Sequence, residues 1–148
     1  MINWKLFLTI IIIIVVSLII IKFIPNFILG GDKEVTYQIL DENQIPEKIS
    51  EILPRYKMLE RALATKIEDE VYVIVTRGEK LTGGYQVDIE KIQLSKEDSE
   101  QKVVVHALFK DPNPDDLVPQ VITYPYVVVK TNLTELPPRI DLEVKIKE

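Results

Sequence analysis

Glycines, a lysine and a threonine within eight residues, GEKLTGGY from Gly78 to Tyr85, are the ingredients of a phosphate-cradling loop. Such a loop needs glycines at both ends and a Lys-Ser or Lys-Thr pair opening a helix, so that aligned N–H groups and the helix terminus face the anion. Here Tyr85 and an alternating strand pattern follow, and the positive end of a helix is missing. The segment reads instead as a tight turn. Gly83 or Gly84 takes φ > 0 in a hairpin, and the missing β-carbons let another segment approach. Gly78, Thr82, Gly83 and Gly84 are its structural residues.

Other chemistry is equally thin. The chain has one histidine and no cysteine. That excludes disulfides, thiolate nucleophiles and cysteine-ligated zinc. His106, within VVVHALF, shares a strand face with Val104 and Leu108, the setting of a packed histidine with a hydrogen bond rather than of a general base. Ser50, Ser95 and Ser99 lie in helical or charged loop contexts without a nucleophile elbow, and Ser17 sits in an apolar run. In DPNPDD, Asp111, Asn113 and Asp115 have the spacing that opens a calcium loop, but Asp116 stands where glycine is required and Ile122 where a bidentate glutamate should be. No catalytic residue, metal site or cofactor is expected. Tyr85, Tyr124 and Tyr126 remain, with Pro125 between the last two. Tyrosine offers large contact area and a polar tip, which suits a partner surface. Pro125 removes one ladder donor and leaves neighbouring backbone groups open to strand addition.

The elements that must position these residues divide the 148-residue chain unevenly. Leu6 to Ile21 carries no charge and is framed by Lys5 and Lys22. As a helix extended to Ile24 it spans about 28 Å, close to a hydrocarbon core of about 30 Å. The run is too long for a signal-peptide core, and bulky residues (KFIPNFILGG) follow where a peptidase needs small ones. Residues 1–24 are therefore expected to form an uncleaved transmembrane anchor, with the membrane met through residues 6–24. Residues 25–33 are a linker containing Pro25, Gly30 and Gly31. Residues 34–148 are the domain outside the cytoplasmic membrane, an orientation that Lys5 and a short translocated start favour. All 23 acidic residues but only 16 of the 18 basic ones follow position 31, giving that part a net charge of −7. A net-acidic domain is not built to attract nucleic acid or anionic lipid.

Within the domain, Val35, Tyr37 and Ile39 alternate as one strand. Pro46 opens a helix in which Ile49, Ile52 and Leu53 share a face and which Pro54 interrupts. Residues 55–65 are open between helix and strand. VYVIVT (Val71 to Thr76) is apolar on both faces, the pattern of a central strand covered on two sides. Tyr85, Val87 and Ile89 alternate, then Ile92 and Leu94 continue one residue out of phase, which predicts a β-bulge across Glu90 and Lys91. Two further strands and a final alternation of Ile140, Leu142, Val144 and Ile146, with one wet face, complete five or six strands. The expected class is α+β, mainly antiparallel β, either sandwich-like or a small sheet with one short helix.

In that order, G-x-K-x-T-G-G-Y at Gly78 to Tyr85, the alternating strand through Leu94, the strand at Val103 to Phe109, DPNPDD, and T-Y-P-Y-V-V-V at Thr123 to Val129 resemble the C-terminal domain of the PrcB family, the protease complex subunits. The resemblance covers about residues 71–130. It implies a non-catalytic, exported, membrane-associated protein that acts beside a protease. The family namesake is attached through a lipidated cysteine; with none in this chain, the apolar run takes that part. The expected function is an anchored accessory or scaffolding subunit binding a protein partner, in the resemblance a protease, through Tyr85, Tyr124, Pro125 and Tyr126. A ligand-binding sensor, a hydrolase with an unrecognised site, and a protease inhibitor presenting DPNPDD are the alternatives.

Overall fold

In a computed structural model, the described residues are 4, 8–17, 32–97 and 99–147. The chain divides into two compact units, Met1–Asp32 and Lys33–Glu148. In the first, residues 8–17 are helical. Among the described residues no helix is long and apolar enough to cross a membrane. The remainder of the expected anchor and nearly all of the linker lie outside the described residues.

The described residues of the second unit form eight strands: β1 (Lys33–Val35), β2 (Tyr37–Ile39), β3 (Glu60–Ile67), β4 (Glu70–Arg77), β5 (Gln86–Glu97), β6 (Glu100–Lys110), β7 (Tyr126–Thr131) and β8 (Arg139–Lys147). A 3₁₀ turn (Glu42–Gln44) and helix α1 (Glu47–Tyr56) lie between β2 and β3. The strands form two four-stranded sheets, ordered β1-β5-β6-β8 and β2-β7-β4-β3. This is the expected mainly antiparallel α+β class in its sandwich-like form, with more strands than the sequence pattern separates and two short helical elements instead of one.

The double-sided apolar run of β4 follows from its place. Val73 and Val75 pack into the core between the sheets, with Ile92, Val105, Phe109 and Val129. Tyr72 and Ile74 point the other way, onto Ile49 and Leu53 of α1. A strand in the middle layer has no wet face, so alternation disappears. Each fully buried aliphatic side chain contributes about 1.5–3 kcal/mol, which makes this layer the main source of stability.

Three readings are corrected and one left open is settled. Residues 33–39 are not one strand: Val35 pairs with Ile92 in one sheet and Tyr37 with Thr131 in the other, so the segment changes sheets at Thr36 and staples them together. Alternation survives the switch because Val35 and Tyr37 both face the same core. Helix α1 begins at Glu47 with Pro46 as its N-cap, and it continues through Pro54 to Tyr56. Pro54 lies in the last turn, where it deletes a single intrahelical bond, while burial of Ile49 and Leu53 holds the helix in place. Residues 55–65 accordingly divide into the helix end and β3. Finally, β8 runs parallel to β6, with Ile140 beside Val103 and Leu142 beside Val105. Its apolar row leaves the core progressively, so Val144 and Ile146 are exposed and the strand's second half is wet on both faces. The predicted bulge is present: the β5–β6 register shifts between Ile89 and Lys91.

On the helix-side face of β4, the Glu70 carboxylate accepts the Tyr72 hydroxyl at 2.6 Å and, together with burial, pushes its pKa up to about 12. A free tyrosine titrates near 10. The folded value lies above the unfolded one, so this contribution to stability is complete below about pH 10 and is lost as the pH rises from about 10 to about 12. The denaturation midpoint is expected to fall across that window, with a shallower fall in Tyr72→Phe. An identical slope in the variant would refute the assignment.

Candidate functional site

The glycine segment is not a hairpin. Strands β4 and β5 belong to different sheets, so residues 78–85 arch from one layer to the other. An arch must lie flat across the end of the sandwich, and a second segment, residues 111–125, lies on it. The two are joined by a β-bridge in which Lys80 and Thr123 exchange backbone hydrogen bonds at 2.9 Å each way. The Gly83 N–H also donates to the Pro119 carbonyl at 2.8 Å, and the Thr123 hydroxyl to the Thr82 carbonyl at 2.7 Å.

The glycines are required by this contact. Gly84 has φ +90°, and a β-carbon there would stand 2.8 Å from Val118 Cγ1 and 2.9 Å from Pro112 Cβ. Gly83 does not have positive φ; its missing β-carbon leaves room for Pro119, whose Cδ would lie at 3.0 Å. The glycines alone predict a close approach, and the structure supplies its partner. That partner is the proline-bearing loop, and the two motifs of the chain are the halves of one joint.

Arg77, the last residue of β4, is the bolt beneath this joint and carried no recognisable signal in the sequence. It is only 4% exposed. Its Nη1 donates to the carbonyls of Lys110 at 2.7 Å and Gln86 at 3.2 Å, and Nη2 pairs with the Asp111 carboxylate. The guanidinium lies between the rings of Phe109 and Tyr85, at 4.8 and 4.9 Å from their centroids. Its backbone N–H donates to the Pro125 carbonyl. One side chain thus ties together the ends of β4 and β6, the start of β5 and the start of the loop. Its buried Nε has no acceptor, but a buried cation held by two carbonyls and a carboxylate through its terminal nitrogens is structural.

The remaining predicted residues fall around this joint. Tyr85 is half-buried over Arg77, with Lys80 on its ring. Tyr124 donates its hydroxyl to Glu79 at 2.8 Å, a bond that raises its pKa, and Lys57 lies over its ring. Tyr126 opens β7 and packs at the edge of the helix-side cluster, where burial and then Glu42 raise its pKa. The structure therefore brings Tyr85 and Tyr124 to the arch, whereas Tyr126 points to the helix side of its sheet, opposite to Val127 and Val129. Asp111 is engaged by Arg77, and Asp116 caps the turn by accepting from the Asn113 backbone at 2.8 Å. Among the described residues no group of three or more acidic or histidine side chains could hold a metal ion. His106 contacts Gln93 and Glu143 on the outer face of β6.

Among its exposed residues the joint also presents four large apolar side chains. Leu81 is 76% and Leu117 103% exposed, and Val121 and Ile122 are more than half exposed. The Lys80–Thr123 bridge sets Leu81 beside Ile122. In the sequence these four resemble core residues, because apolar side chains in a strand-rich chain look alike whether or not another segment covers them.

Residues 71–132 match the family model described as PrcB C-terminal. The match begins with β4, includes arch and loop, and ends after β7, so it contains every residue of the joint. No curated protein and no solved structure matches the chain.

Proposed function

We propose that this chain is a membrane-anchored, non-catalytic accessory subunit whose domain outside the membrane holds a protein partner, with an exported protease as the class that the family match favours. The observation that carries this reading is the set of exposed apolar side chains on the joint, Leu81, Leu117, Val121 and Ile122, with Leu81 beside Ile122. Four exposed apolar side chains on one joint are costly in water unless something covers them. The joint is also rigid: Pro112, Pro114, Pro119 and Pro125 restrict the loop, and the Arg77 network fixes its start. A preformed apolar surface loses little entropy on binding. The anchor rests on the charge-free run of residues 6–21.

The test uses the tagged full chain in native membranes. It is expected to resist carbonate washing and, after detergent extraction, to retain a stoichiometric partner. The combined variant Leu81→Ser, Leu117→Ser and Ile122→Ser is expected to keep its melting temperature and to lose capture by about tenfold or more, or about 1.4 kcal/mol. Undiminished capture by that variant, or turnover of a substrate by the purified chain, would overturn the reading. The exposed residues of the 111–125 loop are also the one observation in favour of an inhibitor, and stoichiometric inhibition of the captured protease separates inhibition from scaffolding.

A further inference from the structure

The segment that staples the sheets closes only half of their seam. Strand β1 covers β5 from Leu94 to Ile92 and then leaves for the other sheet, so Gln86 to Lys91 form the edge of the first sheet. Strand β2 covers β7 from Thr131 to Val129, and the Leu40 N–H reaches the Val128 carbonyl, leaving Tyr126 and Val127 at the edge of the second. Both uncovered edges lie at the same end of the seam. Between them is a cleft of about 360 Å³, walled by Val87 and Asp88 on one side and by Tyr126 and Val127 on the other, with Ile45 and Glu42 also lining it.

Backbone direction on β5 is fixed by one bond. The Tyr37 hydroxyl donates to the Ile89 carbonyl at 2.7 Å from the side of β2, so that carbonyl faces away from β6. Two residues earlier, on the same side of the bulge, the N–H and C=O of Val87 face the same way. No strand of the described residues pairs with them. Tyr37 therefore caps the edge at Ile89, and the bulge ends pairing just beyond it. An open ladder position remains at Val87, beside a cleft of mixed polar and apolar lining.

The ionisable side chains lining that cleft other than tyrosine are Glu42 and Asp88, both acidic, and Glu90 is exposed two residues beyond. The pKa of Tyr37 is raised by burial and then by Asp88 and Glu34. A strand added here meets the apolar part of that lining with one set of alternate side chains and carboxylates with the other.

We propose that the open end of the seam accepts an extended segment of a partner protein, alternating apolar and basic residues, as an added strand on β5 paired with Val87 in line with β1. The proposal rests on the reading of the chain as a partner-binding module and specifies a second contact, separate from the exposed apolar side chains of the arch.

Two synthetic peptides test it against the full chain in a non-ionic detergent: an octamer of alternating lysine and valine, and the same octamer N-methylated at every residue, so that neither edge keeps an N–H. The methylated form keeps charge and apolarity but cannot form a ladder. The unmodified peptide is expected to bind, to slow amide exchange at Val87, and to bind at least about tenfold more tightly than its methylated analogue. Asp88→Lys, on the exposed outer face of β5, is expected to weaken binding without altering the melting temperature. Equal affinity for the two peptides, or protection located away from residues 86–89, would overturn the proposal. If Asp88→Lys leaves capture of the native partner intact while the combined arch variant abolishes it, the added strand fails and the scaffolding function stands. If neither variant affects capture, both fail.

Discussion

Replacing Gly84 with valine is expected to lower the unfolding free energy by about 3 kcal/mol or more. Two independent costs combine. At φ +90° a β-branched residue is strained, which costs about 1–3 kcal/mol. The added β-carbon also lies 2.8 Å from Val118 and 2.9 Å from Pro112, an overlap that costs about 1–3 kcal/mol in a packed region. The contacts are with a proline ring and a branched side chain, neither of which can swing aside as a lysine could. Gly83→Val meets only the steric part, against Pro119 at 3.0 Å, and should cost less. Denaturant unfolding separates the terms: Pro112→Ala in the Gly84→Val background should recover part of the loss, and the backbone strain should persist. Neither phosphate nor nucleotide should protect either protein. If Gly84→Val unfolds at the wild-type midpoint, the arch is not held as described.

Arg77→Met is the second large effect, with an expected loss of about 3–5 kcal/mol. Methionine fills much of the space between Tyr85 and Phe109, so the loss reports chiefly on polar contacts. The carbonyls of Gln86 and Lys110 lose a charged donor, and Asp111 loses its counter-ion. Asp111→Asn should be milder, about 1–2 kcal/mol, because the asparagine oxygen still accepts from Arg77 and the remaining cation keeps two carbonyl acceptors. The asymmetry follows from exposure, since the Arg77 side chain is 3% exposed and that of Asp111 51%. Equal costs for the two substitutions would mean that Arg77 acts through the ion pair alone. Both variants should also loosen the start of the 111–125 loop, which amide exchange at Asn113 and Asp116 would register.

These effects fall on residues of unequal legibility. The glycines were legible as a site of close approach because a residue without a β-carbon next to a strand has few other uses. The bulge at Glu90 was legible because a phase slip in alternation has one simple cause. The burial of β4 on both faces was legible in VYVIVT. Arg77 was not, since an arginine ending a strand looks solvent-bound until the ends of β5 and β6 close over it. The three tyrosines carried the right composition for an interface, but their roles diverge with position: Tyr85 over a buried cation, Tyr124 on the surface with Glu79, Tyr126 on the helix side of its sheet.

The sequence by itself determined which faces of the central elements are buried: alternation, double-sided runs and helical spacing are local consequences of a strand or helix meeting water on one face, two faces or none. It also determined the charge-free amino-terminal run and the absence of cysteine chemistry. Only the tertiary structure decided the pairing of strands. Periodicity is unchanged when a strand switches sheets at Thr36 with its core face preserved, or when β8 lies parallel rather than antiparallel to β6, because each change keeps the same side chains inward. The exposed apolar set on the arch and the open seam belong to that second category: each exists because segments distant in sequence stop short of covering one another, and local chemistry holds no record of where a distant strand ends.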